Sequence, residues 1–260
     1  MDEASQVDAW HAQGDDDGPI APVYYFIARA CSRLAPAGST VVDLGCGTGR
    51  FAAYLARLRP DLRVIGLDLS QPMVDTGNAS LRAQGLADRV ELRTGDMTSF
   101  AHLLPRQTAL VNCLFAIHHL PTLEHVTACF SELETAARTL GAGFLVFDLV
   151  HPRHRTTATD YPCVFTPQAP KVFRDDSVNS LLAAYSHDEL RSVVDKAFTG
   201  SKVCRGVSRI LPLYQAFWLP IAKGRLDSTD RRRAESATIL GGGSRLQYLA
   251  LRLSMRHLPQ

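Results

Sequence analysis

The sequence predicts an α/β fold, a mostly parallel seven-stranded sheet with helices on both faces. Three observations carry this expectation. Short β-branched runs alternate with stretches of helical periodicity between residues 40 and 198. The first run, Thr40 to Leu44, passes through three alternate glycines straight into a helix. Two further strand-like runs follow the last of these helices. Strands separated by helices of this length pair in parallel and are covered on both sides.

Each element has its own signal. Apolar residues recur at helical spacing from Ile20 to Leu34, and Pro36-Ala37-Gly38 ends that helix. Thr40 to Leu44 is the first strand, and Phe51 to Leu58 is a helix that stops before Pro60. Arg63 to Leu69 is the second strand. Ser70 is placed to cap the next helix, with Pro72 in its first turn and Gly85 at its end. Val90 to Arg93 and Leu110 to Ile117 are strands three and four, Thr122 to Leu140 a helix, and Gly143 to Val150 strand five. Periodicity fails between His151 and Ala184, where prolines, threonines and charges replace it. It resumes at Ser186-His187-Asp188-Glu189, whose capping-box spacing opens a helix through Phe198. Lys202 to Ile210 and Gln215 to Ile221 are strands at the sheet's end, Gly241-Gly242-Gly243 is a hinge, and Ser244 to His257 is helical. The expected organisation is an N-terminal helical cap (1–37), a main domain (38–222) with an insert at 151–184, and a basic extension (223–260).

Composition removes several classes. With 46% hydrophobic and 21% charged residues in 260, the chain has enough apolar surface to offset its chain entropy. The apolar stretch Leu211 to Ala222 is interrupted by Pro212 and Pro220, so no membrane span is expected. A net charge of +2 does not by itself argue for nucleic acid. Met1-Asp2-Glu3 opens no secretory signal, and the six cysteines show neither metal-knuckle nor redox spacing. A cytoplasmic protein with reduced, inert thiols is expected. Asp15-Asp16-Asp17 lacks the alternating ligand positions of a calcium loop and reads as solvated.

The chemistry concentrates at three strand ends. Asp43-Leu44-Gly45-Cys46-Gly47-Thr48-Gly49 has the spacing G-x-G-x-G, which is neither a dinucleotide fingerprint nor a phosphate loop. Such a turn lets a ligand lie against bare amides, and Asp43 is suited to an ammonium rather than a pyrophosphate. Asp68, ending strand two, is placed to accept both hydroxyls of a ribose. Asp96-Met97, after strand three, offers a carboxylate to an amino group and an apolar cover to a ring.

This combination resembles the class I, Rossmann-like S-adenosylmethionine-dependent methyltransferases over about residues 38–210. The resemblance implies S-adenosylmethionine bound by Asp43, Gly45, Cys46, Gly47, Gly49, Asp68, Leu69, Asp96, Met97 and Leu114. Ile117-His118-His119-Leu120 resembles the ending of strand four in small-molecule members, which makes His118 and His119 the candidate catalytic residues. His118 is the better placed of the two to accept a proton; the alternative is that both simply cap the following helix. Tyr24, Tyr25, Asp148 and Tyr161 are candidate substrate contacts. A helix directs the adjacent Tyr24 and Tyr25 apart, so one belongs in the core and one at the cofactor mouth.

Subclasses can be narrowed. Nucleobase-amino methylation goes with [DN]-P-P-[YFW] after strand four, but Asn112-Cys113-Leu114-Phe115 has no proline and reads as strand. Cytosine-C5 enzymes need a nucleophilic cysteine, and Pro162-Cys163 stands in the wrong place, after strand five. Metal-assisted catechol methylation needs clustered acids at strands four and five; only Asp148 is present, so no metal is expected. The insert 151–184 is the expected specificity element, with Tyr161, Phe165 and Phe173 as an apolar lid. The leading expectation is methyl transfer to oxygen, nitrogen or carbon of a small biosynthetic intermediate, with no nucleic acid or membrane partner and a homodimer left open. An RNA or protein methyltransferase using the basic tail, and a non-catalytic cofactor-binding protein, are the alternatives.

Overall fold

The computed structural model describes residues 20–209, 213–221 and 242–259. The acidic patch at 15–17, the arginine cluster at 231–233 and Gly241 lie outside the described residues. Seven strands form one sheet: β1 (Thr40–Leu44), β2 (Arg63–Asp68), β3 (Val90–Thr94), β4 (Thr108–Leu114), β5 (Gly143–Leu149), β6 (Cys204–Val207) and β7 (Tyr214–Leu219). Their spatial order is β3-β2-β1-β4-β5-β7-β6. The first five pair in parallel, while β7 runs antiparallel to both β5 and β6.

The strands alternate between two cores with period two, as a sheet buried on both faces must. Val41, Val64, Leu110 and Leu145 face one core with α1 (Ala21–Leu34), α2 (Arg50–Leu58) and α3 (Gln71–Ala83). Val42, Ile65, Val111 and Val146 face the other with α4 (Leu123–Leu140) and α7 (His187–Ala197). The helix α8 (Gly242–Ser254) lies on α1, with Tyr248 edge-on to Tyr25 at 4.9 Å between ring centroids. The first and last described helices therefore share a core with the sheet.

Three differences from the expected elements bear on the site. β4 ends at Leu114 rather than Ile117, because Phe115 takes φ +54° and breaks the extended backbone before a 3₁₀ turn at Ile117–His119. Ser70 stands at the N-cap of α3, but its side chain makes no capping bond; the Ser70 N–H donates to Asp68 instead. The insert, expected to lack periodicity, holds two helices, α5 (Arg155–Phe165) and α6 (Lys171–Ala183). Pro162 and Cys163 lie inside α5. The capping box of α7 is formed, with the Ser186 and Glu189 side chains each bonding the other's backbone N–H.

Because β2 and β3 lie on one side of β1 and β4 on the other, the chain reverses direction across the sheet between β1 and β4. A crevice opens at the carboxyl ends of the strands at such a switch point. The candidate site lies there.

Candidate functional site

One cavity of about 560 Å³ occupies this crevice, within the roughly 300–1,000 Å³ of small-molecule sites. Its first end is built from the strand-end loops. Gly47 takes φ +54°, and a Cβ there meets no other part of the protein within 4 Å, so the backbone at this position borders open space. Gly49 does something else. Its N–H bonds the Cys46 carbonyl at 2.9 Å, a Cβ there would strike Leu92 at 2.8 Å, and it does not line the cavity. Gly49, expected at the cofactor, therefore packs the loop against β3.

Asp68 is held by backbone. Oδ2 accepts the Gly47 N–H at 2.7 Å and Oδ1 the Ser70 N–H at 2.9 Å. Each carboxylate oxygen keeps a further lone pair for a ligand. Asp43 is 2% exposed, and its Oδ1 accepts from Asn112 Nδ2 at 2.6 Å, across the register pair that joins β1 to β4. Burial pushes its carboxyl up to about 7; the Asn112 hydrogen bond opposes this, and the Asp68 charge adds to it. Asp96 Oδ1 accepts the Thr98 N–H and hydroxyl, both at 2.7 Å. Gly45, Cys46, Leu69, Met97 and Leu114 line the same end, and Leu69 is 74% exposed.

The second end begins at the 3₁₀ turn. His118 is buried, and its Nδ1 lies 2.7 Å from Asp148 Oδ1 while its backbone N–H donates to Oδ2 at 3.1 Å. Burial disfavours the imidazolium, but the Asp148 charge and hydrogen bond, with Asp176 beyond, outweigh it and hold the His118 pKa above its ordinary value. His119 stands beside it, rings 4.2 Å apart, and is held below its ordinary value by desolvation and then by His118. Both line the cavity; Asp148 does not. Asp148, expected to touch substrate, instead grips His118, because the turn after β4 folds that residue back onto the end of β5.

The tyrosines separate as a helix requires. Tyr24 lines the cavity against Phe51, its phenol pushed to about 12 by burial. Tyr25, expected as a substrate contact, points away and packs on Tyr248, off the cavity. Tyr161 lines it and shares a 2.6 Å hydrogen bond with Tyr214 of β7, which joins the insert to the sheet. Phe173 also lines it; the Phe165 side chain lies outside the described residues.

Sequence reasoning passed over Asn112, Tyr214 and Asp176. Asn112 was legible only as strand, since its partner Asp43 is 69 positions away. Asp176 had a local signal. Phe173, Asp176, Ser177, Ser180 and Leu181 fall at i, i+3, i+4, i+7 and i+8, one face of α6, and all five line the cavity. Among the described residues no group of three or more His, Cys, Asp or Glu side chains is arranged to hold a metal ion.

Residues 41–141 match the family model of a methyltransferase domain. That segment of the chain is similar to a methyltransferase domain. A demethylmenaquinone methyltransferase of Lactobacillus johnsonii is 32% identical to it over 91 residues, 35% of this chain and 37% of that protein. The chain spans well under two thirds of the length of the first curated relatives it matches. The methyltransferase fold reaches beyond the matched segment. An S-adenosylmethionine-dependent methyltransferase of Aquifex aeolicus superposes with TM-score 0.57 and 17% identity over 85% of this chain and all of that one. A plantazolicin methyltransferase, solved with S-adenosylhomocysteine, gives TM-score 0.60 and 12% identity over 84% and 90%. At these identities the likeness is one of fold.

Proposed function

We propose that the chain is an S-adenosylmethionine-dependent methyltransferase acting on a small molecule enclosed beneath the insert. The carrying observation is that a single cavity is lined by the strand-end carboxylates Asp43, Asp68 and Asp96, by the insert residues Tyr161 and Phe173, and by His118. The residues fit the cofactor on structural grounds: open space at Gly47, a backbone-held carboxylate at Asp68 and a buried one at Asp43 match an amino acid, a ribose and a cationic centre. Bound there, S-adenosylmethionine supplies an electrophilic sulfonium methyl. The chain's own part is alignment and exclusion of water by α5 and α6. Asp148 fixes the His118 ring through Nδ1, which leaves Nε2 to take a proton from an acceptor oxygen or nitrogen. Asp148 is engaged by His118 and by the Leu149 N–H at 2.6 Å, which supports a reaction without metal. Six free thiols suit a reducing cytoplasm.

Incubation with methyl-labelled cofactor and the dialysable and macromolecular fractions of a cell extract tests this reading. Label is expected in the dialysable fraction. Label confined to macromolecules overturns the small-molecule assignment. Binding of S-adenosylhomocysteine without transfer to either fraction overturns the enzymatic one.

A further inference from the structure

The acceptor end of the cavity has a wall whose chemistry is unusual for a lid. A helix laid over a crevice ordinarily turns an apolar face inward. The inward face of α6 is apolar only at its ends, Phe173 and Leu181; between them stand Asp176, Ser177 and Ser180. Ser177 donates its hydroxyl back to the Phe173 carbonyl at 2.8 Å, and Ser180 donates to Asp176 Oδ2 at 3.5 Å. Asp176 Oδ1 receives no hydrogen bond among the described residues, although desolvation already raises its pKa. Asp176 is half-buried and lines the cavity, so its Oδ1 can accept a donor from a ligand.

The rest of that end narrows which donor. Its other walls are Phe115, Leu149, Tyr161 and Tyr214, with the two tyrosine hydroxyls bonded to each other. Among the described residues, no lysine lines the cavity, and Arg50, at the start of α2 beside the glycine loop, is its one arginine. His118 offers little to an anion, since Asp148 stands on its Nδ1 and matches any charge it carries. A carboxylate or phosphate at this end therefore has a like charge at Asp176 and no dedicated cation, which disfavours its desolvation. An ammonium, by contrast, finds a carboxylate and aromatic faces together.

We propose that Asp176 is a specificity-determining residue, and that the acceptor is a largely apolar, ring-sized molecule that presents an O–H or N–H donor to Asp176 and carries no anionic group. This rests on the methyltransferase reading above and adds the acceptor class to it.

Three probes of one shape separate the possibilities: benzylamine, benzyl alcohol and benzoate, each titrated by ligand-observed NMR onto the full chain preloaded with S-adenosylhomocysteine. Loading is measured first by calorimetry; failure to load overturns the methyltransferase reading and this inference with it. In the loaded protein, the amine and the alcohol are expected to bind at least about tenfold tighter than benzoate. The amine leading the alcohol marks a cationic acceptor, and parity marks a neutral one. Asp176→Asn, nearly isosteric and half-buried, is expected to weaken the amine about tenfold and bring benzoate within about threefold of the alcohol, with loading unchanged. Asp176→Ser provides the same readout should the first variant misfold. Benzoate binding as well as the alcohol in the wild type, an order that survives both substitutions, or no probe binding to loaded protein each overturns the proposal.

Discussion

The proposed cofactor end and the proposed acceptor end of the cavity are built by different means. At the cofactor end the carboxylates sit at or within a few residues of a strand terminus, and backbone amides hold two of the three, Gly47 and Ser70 on Asp68 and the Thr98 amide on Asp96, while Asn112 holds Asp43. At the acceptor end the groups come from four separate segments, the 3₁₀ turn, β7, α5 and α6, and side chains hold them: Asp148 on His118, Tyr214 on Tyr161. Local geometry specifies the first end; the second exists only once the insert has folded over the sheet. Substitutions at the first end are accordingly expected to act on cofactor binding, and those at the second on turnover.

The largest effect expected is on turnover. His118→Ala removes the proposed proton acceptor, and turnover is expected to fall by about 10²–10⁴-fold while S-adenosylhomocysteine affinity changes little. Single-turnover rates with labelled cofactor, beside calorimetry, check both halves of that statement. The wild-type rate is expected to fall as pH drops through the His118 pKa, which lies above the ordinary imidazole value. Asp148→Asn is expected to move that fall to lower pH, since it removes the charge that favours the imidazolium. An unchanged rate and profile in His118→Ala leaves His118 a structural cap.

Asp68→Ala is expected to weaken S-adenosylhomocysteine by about ten- to a hundredfold, from the loss of a bidentate contact worth on the order of 1.5–3 kcal/mol. Turnover at saturating cofactor should stay within a few fold of wild type. Equal loss in both measurements breaks the division between the two ends. Gly47→Val probes the same end through space: its side chain enters the cavity, and holding it in the left-handed region costs about 1–2 kcal/mol. Lost binding with a thermal midpoint lowered by only a few degrees is the expected pair of results.

A smaller effect concerns protons at Asp43. Its folded pKa of about 7 lies above the ordinary carboxylate value. The protonated form is thus favoured by folding, and the stability it contributes is fully present below the ordinary value and is lost as pH rises through about 7. A ligand ammonium favours the ionised form instead. Binding of S-adenosylhomocysteine below pH 7 is then expected to release a proton and to weaken by up to about tenfold per pH unit. Calorimetry in two buffers of different ionisation enthalpy reads the proton count. A count of zero at both pH 6 and pH 8 removes Asp43 from the ammonium contact. Asn112→Leu, which removes the hydrogen bond that favours ionisation, is expected to move the release to higher pH.

The same contrast explains which parts were legible. The five parallel strands, the glycine turn and the carboxylates at positions 43, 68 and 96 follow from short-range rules: period two in strands buried on both faces, turn glycines, a side chain at a strand end. The insert defeated those rules because the face of α6 that looks inward carries Asp176, Ser177 and Ser180, so burial and apolarity no longer coincide. Pro162 inside α5 hid that helix as well. Gly49 and Asp148 were assigned to ligands because their spacing suits it, but spacing does not reveal that Leu92 crowds the one and His118 turns toward the other.

From the sequence alone come the α/β alternation, the turn that opens between β1 and α2, and the identity of the groups offered at each strand end, since each is set by interactions within a few residues. Tertiary structure decided the rest. It chose Tyr24 over Tyr25 by laying α8 on one side of α1, joined Asn112 to Asp43 through strand register, and set Asp148 behind His118. Those contacts span 30 to more than 200 residues of chain, and a pattern read a few residues at a time holds no information about them.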